Sequence, residues 1–280
     1  MFNYLVRTFL FVLSFRAFSR LYGFLVRLRH PRFLIRGIIN LFKTNYGISM
    51  EDYQGEAEDY QSLSGFFTRP LDPAKRPLKP VENAIVSPAD GVLTGVQTID
   101  TDEATQVKGK TYPVSKLIGT RIDFSKGWQV AVIYLSPSDY HRFHYPFNGK
   151  ITRYLHTGTR LFPVNNMGLN YVDELFVRNE RIVVEFETPI PGLFAYVAAV
   201  GATFVGSTRM EFIKTKKSPL HQWIPVELPA RQMDEMGRFE MGSTIVLAIP
   251  KQWAEPIKES VGQPVKVGQP IFSIISDKMD

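Results

Sequence analysis

From Ala84 to the C-terminus, no stretch of this 280-residue chain keeps a long, clean helical period. Short apolar runs recur instead, at 84–86, 91–96, 130–135, 182–186, 193–200, 244–249 and 271–275. They are separated by turns that draw on the chain's 20 glycines and 19 prolines. Runs of this length, rich in β-branched residues and closed by turn formers, read as strands. Only 115–117 and 137–140 invite single helical turns. The pattern predicts an α+β fold whose body is a β-rich sandwich or barrel. At this length there is room for a sizeable core and one or two domains.

The start of the chain is of a different kind. Residues 1–50 hold seven Arg, one Lys and no acidic residue, so they carry +8 of a total of +6 and leave the remainder at −2. A basic arm on a slightly acidic body does not suit a nucleic-acid protein, whose folded core more often shows the basic groove. Residues 2–28 read as one helix, and Pro31 separates it from a second at about 32–43. The longest charge-free stretch, 8–15, is too short to span a bilayer. Arg16, Arg20 and Arg27 fall on one face, with aromatic and aliphatic residues elsewhere. Amphipathic helices of this kind lie in a membrane interface, and anionic headgroups attract their arginines. A signal peptide, a transit peptide and a helix packed on the body are the competing readings, and the first lacks a cleavage site. Acidic residues at 50–64 then form a short helix and connection, so 1–65 reads as a membrane-binding region and 66–280 as the body.

No cysteine is present, which excludes disulfides, zinc–thiolate sites and a cysteine nucleophile. Chemistry must come from other groups. Gly242-Ser243-Thr244 stands directly before an apolar run. A serine so placed can attack the peptide bond on its own N-terminal side. The resulting ester eliminates, the chain breaks, and the new N-terminus becomes a pyruvoyl group. Its carbonyl is an electron sink for amine substrates, as pyridoxal phosphate is. The plain alternative is an ordinary turn. Gly206-Ser207-Thr208 offers a second such step and is the rival cleavage site. Ser87-Pro88-Ala89-Asp90-Gly91 places a carboxylate in a tight turn. His141 and His144 flank Arg142 just before Pro146. On a helix they would share a face, and on a strand they would point apart. No third ligand motif accompanies them, which disfavours a metal. Leu161-Phe162-Pro163-Val164-Asn165 reads as a loop, and 176–181 as a charged hairpin before the strand at 182–186.

Taken in order, Ser-Pro-Ala-Asp-Gly, His-Arg-Phe-His-Tyr-Pro, Val-Gly-Ala-Thr-Phe-Val-Gly-Ser and Met-Gly-Ser-Thr resemble the phosphatidylserine decarboxylase family. Phe66-Phe67-Thr68-Arg69-Pro70-Leu71, Leu161 to Asn165 and Arg178-Asn179-Glu180-Arg181 look like the same family, and the similarity runs from about Phe66 to the end. Met241 departs conservatively from the leucine common before the Gly-Ser step. The turns at 87–92 and 265–271 also resemble those of lipoyl- and biotinyl-type β modules, a hint of an internal repeat.

The resemblance implies a self-processing enzyme. Asp90, His144 and Ser243 look like the processing triad, with cleavage between Gly242 and Ser243. That gives a β chain of 1–242 and an α chain of 243–280 that stay associated, and a covalent pyruvoyl cofactor derived from Ser243. His141 looks like the residue that assists decarboxylation. The substrate implied is phosphatidylserine, at a membrane surface contacted through residues 1–45, on the cytoplasmic face if the cell is bacterial. A homodimer is suggested by the family alone. The physical roles agree: serine needs a base, a carboxylate can orient and stabilise an imidazole, and a proton must reach the carbon that loses CO2. Two rivals stand beside this. One is a membrane-associated serine hydrolase using Ser243 or Ser207, which lacks a Gly-x-Ser-x-Gly elbow. The other is a non-catalytic lipid-binding or carrier-like β module.

Overall fold

The β-branched run after Gly242 becomes the strand Ser243–Pro250, and every residue in it is buried. It lies inside an eight-stranded antiparallel sheet in the computed structural model of the chain. The spatial order is Trp223–Ala230, Gly149–Thr157, Arg181–Glu187, Phe194–Val200, Ser243–Pro250, Trp128–Leu135, Gly91–Ile99 and Pro264–Val265. The structure describes all residues except 1, 106–110, 204–207, 215–219, 241–242, 258–261 and 276–280, and not the side chains of 2–5, 13, 16–20 and 105.

Strand periodicity explains why both faces are apolar. Ile245, Leu247 and Ile249 enter one core together with Ala131, Ile133 and Leu135 from the neighbouring strand. Val246 and Ala248 enter the other with Trp128, Val130 and Val132. The first core is closed by two three-stranded sheets: Ala84–Val86 with Pro270–Ile274 and Ala254–Pro256, and Thr208–Met210 with Glu235–Phe239 and Arg142–His144. The second is covered by short helices, among them Val114–Ile118, Asn166–Tyr171 and Leu175–Arg178. The body is thus the α+β, sandwich-like arrangement expected.

The N-terminal arm differs from expectation in one respect. The single helix read over 2–28 is two, α1 (Phe2–Leu13) and α2 (Arg16–Val26). The break falls at Ser14, whose hydroxyl donates to the Phe11 carbonyl (2.7 Å), an acceptor its own amide also reaches (3.2 Å), so the side chain competes for the backbone groups of the last turn. α3 (Arg32–Tyr46) follows as read, three residues longer. Leu10 of α1 is fully buried in the core that the short helices cover. Ile35 and Ile39 of α3 enter a third cluster with Phe66, Tyr140 and Val86. Among the described residues no helix is long and apolar enough to cross a membrane. The charged hairpin expected at 176–181 is instead the helix Leu175–Arg178 followed by a strand. Asn179 makes the bend between them by clamping neighbours: it accepts from the Phe162 amide (2.8 Å) and donates to the Phe162 and Gly201 carbonyls (2.8 and 2.9 Å).

Candidate active site

The Ser87–Gly91 turn is held from both ends of the chain. Ser87 accepts from the Gly268 amide (3.0 Å), and the Val267 amide donates to the Asp90 carboxylate (2.8 Å), so the two turns with lipoyl-like sequence pack on each other. Gly91 is required for a close approach, since a Cβ there would lie 2.4 Å from the Tyr134 carbonyl oxygen. Asp90 is 1% exposed, and Arg76 donates two hydrogen bonds to it (2.6 and 2.7 Å) in a bidentate ion pair. Lys266 approaches at 3.4 Å. Burial alone would raise the Asp90 carboxyl, but the Arg76 and Lys266 charges and the Val267 amide hold it below the ordinary range.

The two histidines lie on an extended segment, the strand Arg142–His144 and the residue before it, which directs them to opposite sides. The Nδ1–H of His144 donates to the Met233 carbonyl (2.7 Å), and its Nε2 accepts from the Tyr140 hydroxyl (3.0 Å). Burial lowers its pKa. The Nδ1–H of His141 donates to the Asp139 carbonyl (2.8 Å). Its Nε2 is buried and has no partner, and burial pushes its pKa down to about 3. His141 is therefore a neutral imidazole with a lone pair on Nε2.

The segment Phe66 to Leu71 packs on His141 and Arg142. Phe67 lies against the His141 ring with centroids 3.9 Å apart. Arg69, fully buried, donates to the Ser138 carbonyl (2.7 Å) and stacks over Tyr53 at 4.2 Å. The Thr68 carbonyl accepts from Arg142 (2.9 Å).

Ser243 is brought to this segment by two pinning contacts. The Phe239 amide donates to the His141 carbonyl (2.9 Å), and Ser243 pairs with Leu135 in the large sheet. The strand that pairs with Ser243 thus ends at Leu135, six residues before His141, whose carbonyl in turn holds Phe239. Ser243 is fully buried, and its hydroxyl has no hydrogen-bond partner among the described residues. A buried hydroxyl without a partner carries a cost. Gly242 and Met241 lie outside the described residues, as do Gly206 and Ser207 of the rival step.

The structure thus brings Asp90, His141, His144 and Ser243 to one end of the large sheet, with Asp90 held by Arg76 rather than hydrogen-bonded to His144. Sequence reasoning missed Arg76, Tyr140, the Met233 carbonyl and Glu240. Glu240, 5% exposed, receives Arg209 (3.1 Å) and Arg27 of the arm. Beside Thr244, on the opposite face of the strand from Ser243, a cavity of about 160 Å³ is lined by Tyr134, Val164, Asn165, Leu169 and Phe176. The Thr244 hydroxyl is also buried and unpartnered.

Comparison with known proteins gives a consistent answer. A family model described as phosphatidylserine decarboxylase matches residues 63–273. The phosphatidylserine decarboxylase proenzyme of Acinetobacter baumannii is 38% identical over 252 residues, spanning 87% of this chain and 88% of its own. That of Brevibacillus brevis is 36% identical over 265 residues (90% and 92%), and that of Helicobacter pylori 34% over 262 residues (91% and 96%). The match begins at the helix Leu63–Phe67 and runs through every residue of the site into the last strand, so the chain belongs to the phosphatidylserine decarboxylase family.

Proposed function

We propose that this chain is a proenzyme that cuts itself between Gly242 and Ser243 and then decarboxylates phosphatidylserine to phosphatidylethanolamine. The observation that carries the reading is the buried, unpartnered Ser243 hydroxyl at the start of a central strand, paired with the strand that leads into the histidine segment. In self-cleavage His144 takes the serine proton. Its Nε2 is engaged by Tyr140, so the hydroxyl of Tyr140 must yield that position to the serine. The Met233 carbonyl keeps the proton on Nδ1 and leaves Nε2 as the base. Asp90 stays ionised and supports the imidazolium through its field, while Arg76 and Val267 keep it in place. After cleavage the α chain keeps its ladders to Trp128–Leu135 and Phe194–Val200, which accounts for two products remaining one body.

The residues present fit a pyruvoyl group at position 243, which supplies the electron sink for loss of CO2 from an amine-bearing substrate. The Nε2 of His141 relays a proton to the carbon that has lost CO2, and its depressed pKa makes the transient imidazolium a strong donor toward that carbon. Phe67 and the buried surroundings keep water from competing for it. The cavity beside Thr244 is apolar with a few amide and hydroxyl groups, which suits the glycerol end of a phospholipid. The arm docks the site on the bilayer through exposed apolar side chains such as Phe9, Leu21, Phe24, Phe33 and Leu41.

Intact-mass spectrometry tests the reading. The wild-type protein yields a C-terminal fragment beginning at position 243 with a pyruvoyl terminus. Ser243→Ala and His144→Ala stay full length, and His141→Ala cleaves but turns over poorly. A single uncleaved mass from an active preparation overturns the pyruvoyl mechanism. Normal cleavage in both histidine variants overturns the assignment of roles.

A further inference from the structure

On the same face of the large sheet as the Thr244 cavity, a second recess has a different character. It holds about 530 Å³ and is lined by Lys116, Thr159, Arg160, Arg178, Arg181 and His221, among others. Among the described residues, Arg160, Arg178 and Arg181 have no carboxylate partner. The acidic side chains nearest in sequence are engaged, Glu174 by Lys116 (3.4 Å) and Glu180 by His156 (2.8 Å).

Arg181 is 3% exposed and gives its hydrogen bonds to carbonyls: Leu117 and Lys116 at 2.7 Å, Asn179 at 3.1 Å, and Val177. Burial pulls its pKa down only to about 10, so it stays charged at neutral pH. A fixed cation thus sits beneath the recess without an anion to neutralise it. The floor is tightly built, since Gly158 has φ +81° and a Cβ there would lie 2.0 Å from the Asn179 carbonyl oxygen. Arginines that are neither paired nor crowded by carboxylates favour phosphate oxygens.

The location says which phosphate. Thr244 pairs with Val200, and Val200 with Arg181, so Arg181 lies two strands, about 10 Å, from the reactive row. Four bonds separate the ammonium nitrogen of phosphatidylserine from its phosphorus, too few to cover that distance. The recess is therefore not placed for the phosphate of a substrate whose amine is at position 243. The rim is membrane-facing in character, because the Arg160 guanidinium lies 4.3 Å from the rings of both Phe11 and Phe15, each 41% exposed.

We propose that this recess binds the phosphate of an anionic phospholipid headgroup, a second lipid that is not turned over and that adds to the hold of the arm on the bilayer. The site takes a phosphate ester anion through Arg160 and Arg178, with Arg181 supplying charge from below. The proposal rests on the membrane docking proposed above.

The test uses the full chain and vesicles of phosphatidylcholine with or without phosphatidylglycerol, read by co-sedimentation. Thr159→Glu places a carboxylate in the recess, Arg178→Gln removes a cation, and Arg178→Lys keeps it. Normal self-cleavage shows that each variant folds. Phosphatidylglycerol strengthens wild-type binding, and each of the first two variants loses about fivefold of that gain, consistent with one charge near a lipid surface. Arg178→Lys keeps most of it, and binding to phosphatidylcholine alone is unchanged in all three. An equal phosphatidylglycerol response in Thr159→Glu and wild type overturns the proposal and leaves the attraction to the arm's arginines. A second arm uses inorganic phosphate at matched ionic strength. If phosphate raises the melting temperature of wild type but not of Thr159→Glu while the vesicle response is equal in both, the recess takes free phosphate and the lipid assignment is overturned. Loss of binding to all vesicles, by contrast, is what failure of the arm produces.

Discussion

His141 is the residue whose environment says most about the chemistry. Its ring is fully buried, with Nδ1–H committed to the Asp139 carbonyl and Nε2 left bare. A group in that state makes the folded protein sensitive to acid in a defined direction. Its folded pKa is depressed to about 3 from 6.5, so below pH 6.5 the unfolded chain binds a proton that the folded one refuses. Stability therefore falls as the pH drops from about 6.5 toward 3, by up to about 1.4 kcal/mol per pH unit from this one group. Asp90, whose pKa is lowered from 3.8, adds its own loss only at lower pH. His144 contributes in the same direction as His141, burial being the larger cause in both. Denaturant unfolding of the uncleaved Ser243→Ala chain, measured between pH 4 and 6.5 with and without His141→Gln, isolates the term, because every other group is common to both chains. The expected result is a shallower pH dependence in the double variant by about one proton. Equal slopes would mean that the His141 ring takes up its proton as readily folded as unfolded, and that it is not the neutral base described above.

At the scale of elements, the residue that leads into the proposed scissile bond is anchored by charge. Glu240, three residues before Ser243, is buried and receives Arg209 from the strand Thr208–Met210 and Arg27 from the end of α2. The arm is thereby tied to the residue just before the proposed cleavage site. Removing the Glu240 charge should loosen that segment, and Glu240→Gln should slow self-cleavage about tenfold, the worth of one charge-assisted hydrogen bond. A time course of fragment appearance after cell-free synthesis measures it. Cleavage at the wild-type rate in a folded Glu240→Gln chain would remove the coupling. None of this was legible beforehand, because Arg27 and Glu240 are distant in sequence and neither belongs to a motif. What could be read were elements whose local pattern agrees with their environment. Ala84–Val86 and Ser243–Pro250 are buried on both sides and appear as unbroken apolar runs. Gly149–Thr157 and Trp223–Ala230 were missed for the opposite reason. The first interleaves Lys150, Arg153 and His156, and the second contains Pro225 and Pro229, which the edge of a sheet tolerates. The site divides the same way. Ser243, His141, His144 and Asp90 stand in recognisable strings, whereas Arg76 matters only because folding lays it on Asp90.

The whole molecule places its N-terminal helices on the same packing unit as the candidate site. α3 buries Ile35 and Ile39 in the cluster that contains Tyr140, the partner of His144, and Phe66, the neighbour of Phe67. The outer faces of α2 and α3 present apolar side chains outward, with Phe24 63% and Phe33 79% exposed. An apolar surface of this kind costs free energy in water and recovers it in a bilayer interface. Docking and turnover are then separable by choice of substrate. Changing Phe24 and Phe33 together to Asp removes two aromatic anchors without touching the buried face of α3. Each fully buried phenylalanine is worth about 2 kcal/mol, so even partial insertion predicts at least about a tenfold loss of binding to phosphatidylcholine vesicles. Decarboxylation of phosphatidylserine embedded in those vesicles should fall in step. Decarboxylation of a short-chain phosphatidylserine dissolved as monomers should be nearly unchanged, because the site itself is intact. A parallel loss on both substrates would mean that the arm supports the site structurally rather than by docking. Unchanged activity on both would move membrane contact to another surface of the body.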